Sequence, residues 1–565
     1  MSALTARCDW RVAEEDRTAS QALADRIGVP HIVAHILRTR GAASVEDAER
    51  FLNPSLDYLS APSLLDDLDR AVERISAARK NNERVLVFGD YDVDGIAGAA
   101  LMLRALRRFG IEQSTHAMPK RLTEGYGIGI DHIDQARAEG VSLIITVDNG
   151  IAAHEPIERA QSLGIDVIVT DHHQIDGPLP KAFAVMNPKR QASGYPGVDS
   201  CGAGVAFRLA WALTGEQADL DLVALATVAD IVPLRGENRD LVAVGLAALA
   251  RAPRTGLIQL AKVAGIDLKK VTAEDLSFQL APRINAGGRM GDGLAGLNLL
   301  LTDSAVEAAE LAEELDAANQ ERKEHEQATY NEALEMIESG YTESQRSIVL
   351  ARRGWHPGVV GIVASRIQSR YYRPVVLVAI NGDGLGRGSA RSVDGLNIAE
   401  ALKACETHLV ACGGHAAAAG ITIEETKVEA FQNAFESEAA SRLPAHDLKR
   451  PLSIDAQVAL TEIDGKLVTL LDRLQPCGAA NPSPVLAAYG VRVARQSCRE
   501  LRGGHLKFAV TDGTRTFDTI GFRMGDRLSA LQSVDAIDVA FNPQFNTWRG
   551  ETVVQLVVKD IRAAQ

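Results

Sequence analysis

The chain has 565 residues, of which 46% are apolar and 24% charged, a composition typical of several globular domains and not of a disordered, collagen-like or disulfide-rich chain. The formal net charge of −14 argues, taken alone, against a nucleic-acid partner, because an acidic surface repels a polyanion. The six cysteines form no CxxC pair, no apolar run is long enough to span a membrane and the N-terminus has no apolar leader, so we expect a cytoplasmic protein.

The first half of the chain predicts a helical region followed by an α/β domain. Residues 1–65 mix short helical patterns with a proline-containing loop and indicate a small helical N-terminal region. From residue 66 to 300, short β-branched runs alternate with helical stretches; the clearest runs are VLVF (85–88), LIITV (143–147) and DVIVT (166–170). Buried strands that alternate with helices are typical of a parallel, doubly wound sheet.

Residues 301–345 predict an acidic connector helix. The segment 302–340 contains no proline and one terminal glycine, so it indicates one long helix or two collinear helices, opened by Thr302 or Asp303 as the cap. It contains twelve acidic and two basic residues, a net charge of −10.

Two further domains are predicted after the connector. Residues 346–445 combine apolar strand patterns with a glycine-rich middle and indicate a second α/β domain. Residues 450–565 form a series of short strand patterns, with an Asp-Gly hairpin signal at 512–513, and indicate a small β-barrel of the OB type. A barrel of that type is expected to be a nucleic-acid-binding domain. The predicted fold class is therefore α/β, with two α/β domains joined by a long helix and followed by an OB-like barrel.

The segment GDYDVDG (89–95) is the first candidate site. It directly follows VLVF, and its carboxylates Asp90, Asp92 and Asp94 alternate, so that they point the same way from the end of the strand. Ligand sites of open α/β sheets gather at these strand ends. Carboxylates so close repel one another unless a cation lies between them, which favours a divalent metal over the alternative of an acidic turn in solvent.

The same pattern recurs along the chain. Asp148 follows LIITV, and Asp171, His172 and His173 follow DVIVT. Asp230 lies in the mostly apolar ATVADIVPL, where an unpaired carboxylate would be costly, although capping of a backbone turn is the alternative. Carboxylates with imidazole and no cysteine favour Mn²⁺ or Mg²⁺. Five such ligands suit two ions that share a carboxylate, the arrangement used for phosphoryl hydrolysis.

In this order, GDYDVDG, VDNG, DHH and VADIVPL resemble the motifs of the DHH phosphoesterase superfamily. Four later segments resemble its RecJ branch with a DHHA1 domain: APRINAGGRM (281–290), WHPGVVGIVASRI (355–367), GRGSARS (386–392) and GGHAAAAG (413–420). The resemblance covers about residues 50–565. It implies a 5′→3′ exonuclease specific for single-stranded DNA.

The resemblance also implies roles for the ligand residues. Asp92 and Asp148 would bind one ion, and the other would be bound by Asp94, Asp148, His172 and Asp230, so that Asp148 bridges the two. His173, with Asp171 beside it, would contact the scissile phosphate or assist as a polar catalyst. Asp90 would either bind a metal ion directly or contact the residues that do, because this chain has Phe88 where some members carry a histidine.

Candidate substrate contacts are residues that suit phosphate or base recognition. GRGSARS, read as a glycine-rich loop, offers Arg387, Ser389 and Arg391, and the resemblance assigns it to the 5′ end; GGH offers Gly413, Gly414 and His415. Arg283, Asn285 and Arg289 would line a cleft between domains or, alternatively, pair with the acidic helix. Arg121 and Tyr126 suit a backbone contact and base stacking, although a hairpin core position suits the tyrosine equally.

The predicted function is therefore a single-strand-specific 5′→3′ exodeoxyribonuclease of DNA repair and recombination, with two Mn²⁺ or Mg²⁺ ions, that releases 5′-mononucleotides. Two alternatives stay open: another DHH phosphodiesterase (a nanoRNase or a cyclic-dinucleotide phosphodiesterase), or a non-catalytic DHH-derived scaffold that binds nucleic acid. Expected partners are single-stranded DNA and, by resemblance, a single-strand-binding protein and a helicase. We expect a monomer, associated with the nucleoid and with no membrane.

The net charge is then a poor guide to partners. The connector carries −10 and the barrel about +1, and several of the remaining acids are proposed metal ligands. Two divalent ions would add +4 at the position of the scissile phosphate. The acidic helix is expected to face away from the DNA.

Overall fold

The structure is a computed structural model that describes residues 4–121, 124–190, 194–290, 293–342, 344–444 and 448–564. It confirms the mixed α/β class. The strands, in chain order, are β1 (Cys8–Val12), β2 (Arg84–Gly89), β3 (Ser114–Ala117), β4 (Val141–Val147), β5 (Asp166–Thr170), β6 (Ala184–Met186), β7 (Ile348–Arg353), β8 (Val375–Ile380), β9 (Leu385–Arg391), β10 (Ala411–Gly414), β11 (Ala418–Glu424), β12 (Arg450–Ile454), β13 (Ala456–Gln457), β14 (Leu486–Val493), β15 (Arg499–Leu501), β16 (His505–Thr511), β17 (Thr516–Gly521), β18 (Ala536–Trp548) and β19 (Glu551–Ala563).

The helices range from a single turn to ten turns in length. In chain order they are α1 (Arg17–Ile27), α2 (His31–Thr39), α3 (Val45–Leu52), α4 (Leu68–Lys80), α5 (Val93–Phe109), α6 (Ile130–Ala138), α7 (His154–Ser162), α8 (Gly202–Thr214), α9 (Leu220–Ala229), α10 (Gly236–Arg251), α11 (Thr255–Ala264), α12 (Ala273–Asp275), α13 (Ala281–Met290), α14 (Leu294–Leu301), α15 (Ala305–Gly340), α16 (Val360–Tyr371), α17 (Ile398–Ala404), α18 (Val428–Arg442), α19 (Gly465–Asp472) and α20 (Leu528–Gln532). Short 3₁₀ turns connect several of them.

The chain divides into two compact units. Unit 1 comprises residues 1–58, 233–240 and 449–565, and unit 2 comprises residues 59–232 and 241–448. The predicted domain boundaries divide the chain more finely, and they stay a prediction.

The first sheet of unit 2 is parallel, with the strand order β3-β2-β4-β5-β6. One face packs against α6 and α7, with Phe88 and Val169 in the core on that side. On the other face α5 and α8 lie close, since a side chain at Gly98 would meet Val147 and Ala203. Burial on both faces explains why these strands are continuous apolar runs, and the parallel order places their carboxyl ends at one edge.

The second sheet of unit 2 has the order β10-β11-β9-β8-β7, with one parallel pair, β7 and β8. Its strands bury alternate residues on opposite faces. Val376, Val378 and Ile380 pack with α17 and α18, whereas Val375 and Leu377 pack with α15 and α16. The sheet is therefore covered by helices on both sides.

The predicted connector is a single helix, α15, of 36 residues. Its cap is Ser304, whose side chain accepts a hydrogen bond from the Glu307 amide, so the expectation of Thr302 or Asp303 was wrong by one or two residues. Buried apolar residues at helical spacing, among them Ala308, Ala312 and Leu315, hold it within unit 2.

Unit 1 contains the barrel. Strands β14, β18, β19, β17 and β16 pair in turn, and a further pairing of β14 with β16 closes the ring. Apolar residues of α1, α2 and α3 share one hydrophobic core with these strands, and β1 pairs in parallel with β12. The N-terminal helices are thus part of the same packed unit as the barrel.

Among the described residues, no individual helix combines the length and apolarity needed to cross a membrane, and α10 with α11 would meet those criteria only as a pair bent by 87°.

Candidate active site

Three acidic residues lie at one edge of the parallel sheet. Asp90, Asp148 and Asp171 each directly follow a strand, respectively β2, β4 and β5, and these three strands are neighbours. All three residues are at least 98% buried. The sheet thus brings together residues that are up to 81 positions apart in the sequence.

The start of α5 adds two more carboxylates. Asp92 caps the helix, because its Oδ1 accepts hydrogen bonds from the amides of Asp94 and Gly95 at 3.0 and 3.2 Å. The Asp94 carboxylate accepts from the amides of Gly202 and Ala203, at 2.6 and 2.7 Å, which open α8. The N-terminus of a helix stabilises a negative charge, so α8 favours the ionised form of Asp94.

Close packing of backbone at this edge depends on glycine. A Cβ at Gly95 would lie 2.4 Å from backbone atoms of Asp90, and one at Gly202 would lie 2.5 Å from the Asp148 Cβ. Larger residues would push the two helix starts away from the carboxylates.

Carboxylates and imidazoles converge here in three overlapping groups whose candidate ligand atoms lie within 4.8 Å of one another. The groups are Asp90–Asp92–Asp148, Asp94–His172–Asp230 and Asp148–His172–His173. His172 Nε2 lies 3.1 Å from Asp148 Oδ1, 3.6 Å from Asp230 Oδ2 and 3.8 Å from Asp94 Oδ2. Asp148 and His172 each occur in two groups.

The buried carboxylates of this cluster repel one another, so bound cations would stabilise them. Burial and the charge of Asp92 raise the pKa of Asp90 to about 8, and burial with the charges of Asp94 and Asp92 raises the pKa of Asp230 to about 8. Burial and Asp94 raise the pKa of Asp148 well above its ordinary value. Three buried atoms lack a hydrogen-bond partner among the described residues: Asp90 Oδ1, Asp148 Oδ1 and His172 Nε2. Such a donor set fits Mn²⁺ or Mg²⁺.

His173 is held beside the cluster by Asp171. Its Nδ1 lies 2.8 Å from Asp171 Oδ1, and because a carboxylate accepts, Nδ1 carries the proton. Burial alone would lower the pKa of His173, but the hydrogen bond and charge of Asp171 raise it above the ordinary value. The same carboxylate accepts from the amides of Ile151, His172 and His173, which fixes its position.

Tyr126 contacts Asp148 and His173 rather than lying in a hairpin core. Its hydroxyl donates to the Asp148 carbonyl oxygen at 2.8 Å and lies 3.0 Å from His173 Nδ1. The residue is 49% exposed, so a base can still reach its ring. Phe88, at the position of the family histidine, is buried and packs edge-on against the His132 ring.

Three arginines gather near the Asp92 end of the cluster. The Arg121 guanidinium lies 4.8 Å from the Tyr91 ring centroid. Burial, with the charges of Arg121 and Arg322, lowers the pKa of Arg289 to about 10. Guanidiniums close enough to repel one another form a site that an anion would stabilise.

Three polar residues of the segment APRINAGGRM have different roles, which the sequence alone did not distinguish. Arg283 is buried and pairs with Asp316 of α15 at 2.8 Å, so the ion-pair alternative applies to it. Asn285 accepts a hydrogen bond from the Val93 amide and thereby holds the start of α5. Arg289 donates to the Gly358 carbonyl oxygen at 3.1 Å.

GRGSARS lies on strand β9, so its description as a glycine-rich loop was wrong. Arg387, Ser389 and Arg391 share the face of the sheet that carries α16, because they pair with Ala379, Leu377 and Val375 of β8. Arg391 donates to the hydroxyls of Ser365 and Ser389, at 2.9 and 2.7 Å.

The short segment 358–361 connects these groups within unit 2. Gly358 accepts from Arg289, and a side chain at Gly361 would lie 3.0 Å from both Arg391 Nη2 and Ser389 Oγ. This segment therefore contacts candidate phosphate-binding residues from both α13 and β9.

GGH lies at an exposed hairpin. Gly413 and Gly414 belong to strand β10, and the His415 amide donates to the Ala418 carbonyl oxygen at the turn. At Gly414, with φ +149°, a Cβ would lie 2.5 Å from that same oxygen, so this position requires glycine.

Sequence reasoning missed several residues that shape the site. Gly202 and Ala203 bind Asp94, and Asn149 donates to the carbonyl oxygens of Phe88 and Val147. The only local signals were the small residues of SCGAG before a helix and the Asn-Gly turn of VDNG.

Mn²⁺ is expected to stabilise the protein strongly. A ligand at a hundred times its Kd contributes about 2.7 kcal/mol, which corresponds to a rise in Tm of roughly 5 °C. Thermal unfolding in Mn²⁺ and in EDTA measures the shift. Asp148→Asn should remove most of it, whereas Asp176→Asn, which changes an exposed carboxylate after the neighbouring strand β5, should keep it. An equal shift in both variants would rule out Asp148 as a ligand.

The fold and the site define an enzyme of the DHH class. The DHH family, N-terminal domain, matches residues 84–232, the DHHA1 domain matches residues 345–441 and the RecJ OB domain matches residues 454–560. These matches confirm the predicted OB-type barrel and the second α/β domain as elements of the fold.

Curated relatives extend the match along the chain. The single-stranded-DNA-specific exonuclease RecJ of Escherichia coli is 36% identical over 560 residues, which cover 94% of this chain and 96% of that protein. RecJ of Bacillus subtilis is 34% identical over 568 residues, 100% of this chain and 72% of that protein. The crystal structure of Thermus thermophilus RecJ with Mn²⁺ superposes with a TM-score of 0.85 and 31% identity, and covers 99% of this chain and 80% of that one. The chain belongs to the RecJ family.

Proposed function

We propose that this protein is a single-stranded-DNA-specific exonuclease that hydrolyses phosphodiester bonds from the 5′ end with two divalent metal ions. The observation that carries the proposal is the set of buried, unpaired ligand atoms at the ends of β2, β4 and β5. It occurs in a chain whose relatives, at 34 and 36% identity, are named for this activity.

Two groups of ligands would hold the ions. Asp92 and Asp148, with Asp90 beside them, would bind the first; Asp94, His172 and Asp230, with Asp148, would bind the second. Asp92 Oδ1 caps α5, which leaves its other oxygen for a metal. When bound, two such ions activate water and neutralise charge on the phosphate. The bridging position of Asp148 is consistent with its place in two of the three ligand groups.

His173 would act on the phosphate itself. Asp171 fixes the ring and keeps Nδ1 protonated. The opposite nitrogen, Nε2, would therefore be the one that contacts the substrate. The raised pKa of His173 favours a protonated ring, which can hydrogen-bond to a phosphate oxygen or give a proton to the leaving group. Asp171 is a positioning residue, since it acts through the histidine.

The 5′ end would be held by the arginines around the start of α16. Arg121 and Arg289 lie next to the Asp92 end of the metal cluster, and Ser389 and Arg391 contact the same helix start from β9. Arginine and serine together suit a terminal phosphate. The half-exposed ring of Tyr126 would stack on the terminal base. Arg387 and the GGH turn are exposed and would contact the strand further along.

The barrel of unit 1 would bind single-stranded nucleic acid, as OB-type barrels commonly do. Two cations of the barrel already form ion pairs: Arg495 pairs with Asp535 and Lys507 with Asp518. Arg499 and Arg502 are exposed on and beside β15 and are the better candidates for contacts with DNA.

Partners beyond DNA, namely a single-strand-binding protein and a helicase, belong to this proposal, as do a monomeric state and a place at the nucleoid in repair and recombination.

The activity is tested with single-stranded DNA labelled at either end, in Mn²⁺ or EDTA. We expect mononucleotides from the 5′ label first, gradual shortening of the 3′-labelled strand, no cleavage in EDTA and none of blunt duplex. Cleavage of dinucleotides alone would indicate another DHH phosphodiesterase. Binding without cleavage would indicate a scaffold, and equal degradation of duplex would overturn the strand specificity.

A further inference from the structure

A fourth strand of the parallel sheet ends at the same edge as the candidate metal ligands. The strand order β2-β4-β5-β6 places the carboxyl ends in a row, so the segment after β6 comes next to Asp171 and His172, which follow β5. Neighbouring strands lie about 5 Å apart. Lys189, three residues beyond the end of β6, therefore lies on the side of the cluster away from Asp90.

The side chain of Asn187 ties the backbone of Lys189 to the backbone of His173. Its Oδ1 accepts a hydrogen bond from the Lys189 amide at 2.9 Å, and its Nδ2 donates to the His173 carbonyl oxygen at 3.0 Å. The Asp171 amide donates to the Met186 carbonyl oxygen at 3.1 Å, directly before this turn. Asn187 is fully buried, so Lys189 is held at a fixed position relative to His173.

Two neighbouring cations in this segment differ in their use. Arg190 pairs with Asp66 at 3.2 Å and with Asp67 at 3.0 Å, so it holds the segment in the fold. Lys189 is half-buried, and its ammonium forms no hydrogen bond or ion pair with any residue that the structure describes. A partly desolvated ammonium is stabilised by an anion that it can contact.

The positive charge of Lys189 acts on the ligands at its own end of the cluster. Burial lowers the pKa of His172, and the charge of Lys189 acts in the same direction. Burial raises the pKa of Asp230, and the charge of Lys189 opposes that rise. At the opposite end, the charge of Arg121 opposes the rise that burial causes in the pKa of Asp90. Cations thus lie at both ends of the row of strand ends.

We propose that Lys189 is a substrate-binding residue that contacts the DNA phosphate between the second and third nucleotides, next to the scissile phosphate. This inference rests on the proposed function, in which arginines at the Asp92 end of the cluster hold the 5′-terminal phosphate. The strand would then cross the sheet edge from β2 towards β6, and the part that remains after cleavage would pass Lys189. A lysine binds such a phosphate as a point charge on a flexible side chain.

Release of the first nucleotide from 5′-labelled single strands in Mn²⁺ tests the contact. The strands carry a neutral methylphosphonate between nucleotides two and three, between three and four, or nowhere. Lys189→Gln is compared with Lys181→Gln, which changes an exposed lysine before β6 that pairs with Glu158. We expect Lys189→Gln to raise KM for the unmodified strand by roughly tenfold with little change in kcat, as loss of one charged contact predicts. Lys181→Gln should match the unaltered protein, and Lys189→Arg should restore most of the loss.

The modified strands distinguish a contact from a structural effect. The methylphosphonate between nucleotides two and three should raise KM for the unaltered protein by a similar factor, and it should cause little further loss in Lys189→Gln. An unchanged KM in Lys189→Gln, or a full additional loss with that modified strand, would overturn the proposal. Coupling to the linkage between nucleotides three and four would also overturn it. Failure of the unaltered protein to release the 5′ nucleotide from unmodified DNA would instead count against the proposed function.

Discussion

Replacing Asp148 with asparagine is expected to lower the rate of single-strand cleavage by roughly 10³-fold or more, since a shared ligand serves both ions of a two-metal site. Asp148 lies in two of the three ligand groups, and its carboxylate lies 3.1 Å from His172 Nε2. Its loss would therefore weaken the binding of both ions. Binding of DNA should change little, because the arginines that would hold phosphate lie on α13, β9 and the segment before α6. Rates on 5′-labelled DNA in Mn²⁺, with fluorescence anisotropy for binding, measure the two effects.

The matched control is Asp176→Asn, which removes an exposed carboxylate a few residues after the neighbouring strand β5. It should cleave at the unaltered rate. Unfolding curves in EDTA separate folding from chemistry: the asparagine at position 148 relieves repulsion among buried carboxylates, so metal-free stability should not fall. Surviving cleavage would show that Asp148 does not bridge the ions.

The cluster of candidate metal ligands was predictable because it depends on sheet geometry. Parallel strands with apolar runs are recognisable from sequence, and their carboxyl ends must meet at one edge. Asp90, Asp148 and Asp171 follow such runs directly, so their proximity needed no long-range information. The position of Asp230, at the end of α9, depended on the resemblance and on helix packing, which periodicity does not reveal.

The parts that sequence did not predict depend on packing between distant segments. GRGSARS has the composition of a loop, yet it is a strand because β8 and β11 pair with it on both sides. A side chain at Gly388 would lie 2.7 Å from Ile421 and 3.0 Å from the Leu377 carbonyl oxygen, so its glycines permit close approach of strands rather than a turn. Arg283 pairs with Asp316, a partner 33 positions away on α15.

The acidic helix has a more specific arrangement than its net charge indicates. Some of its carboxylates serve unit 2 internally: Glu326 accepts hydrogen bonds from Arg322 and Arg366. Arg322, one of its two bases, lies close enough to Arg289 to help lower that residue's pKa. The helix thus contributes a cation towards the proposed phosphate site, while many of its acids are exposed. The distribution of charge, rather than the total of −14, is what allows a nucleic-acid substrate.

Asp171→Asn is expected to lower kcat by on the order of 10²–10⁴-fold with little change in KM, because a carboxylate that orients a catalytic imidazole acts through its tautomer and charge. The Asp171 carboxylate lies 2.8 Å from His173 Nδ1 and raises that residue's pKa. An asparagine can present its amide to Nδ1, which would place the proton on the wrong nitrogen. The part of the pH profile of kcat that is set by titration of His173 should then disappear. A purely structural defect would instead lower the rate equally at all pH values.

Tyr126→Phe is the matched variant. It keeps the ring that packs against His173 but removes the hydroxyl, which lies 3.0 Å from the same nitrogen. Because Asp171 still orients the imidazole, the loss should be no more than about tenfold, in line with one neutral hydrogen bond. If Asp171→Asn and Tyr126→Phe lost activity to the same extent, the loss in Asp171→Asn would not come from the orientation of His173 by Asp171. Unfolding curves are needed alongside, since Asp171 also accepts from the Ile151 amide and its replacement will cost some stability.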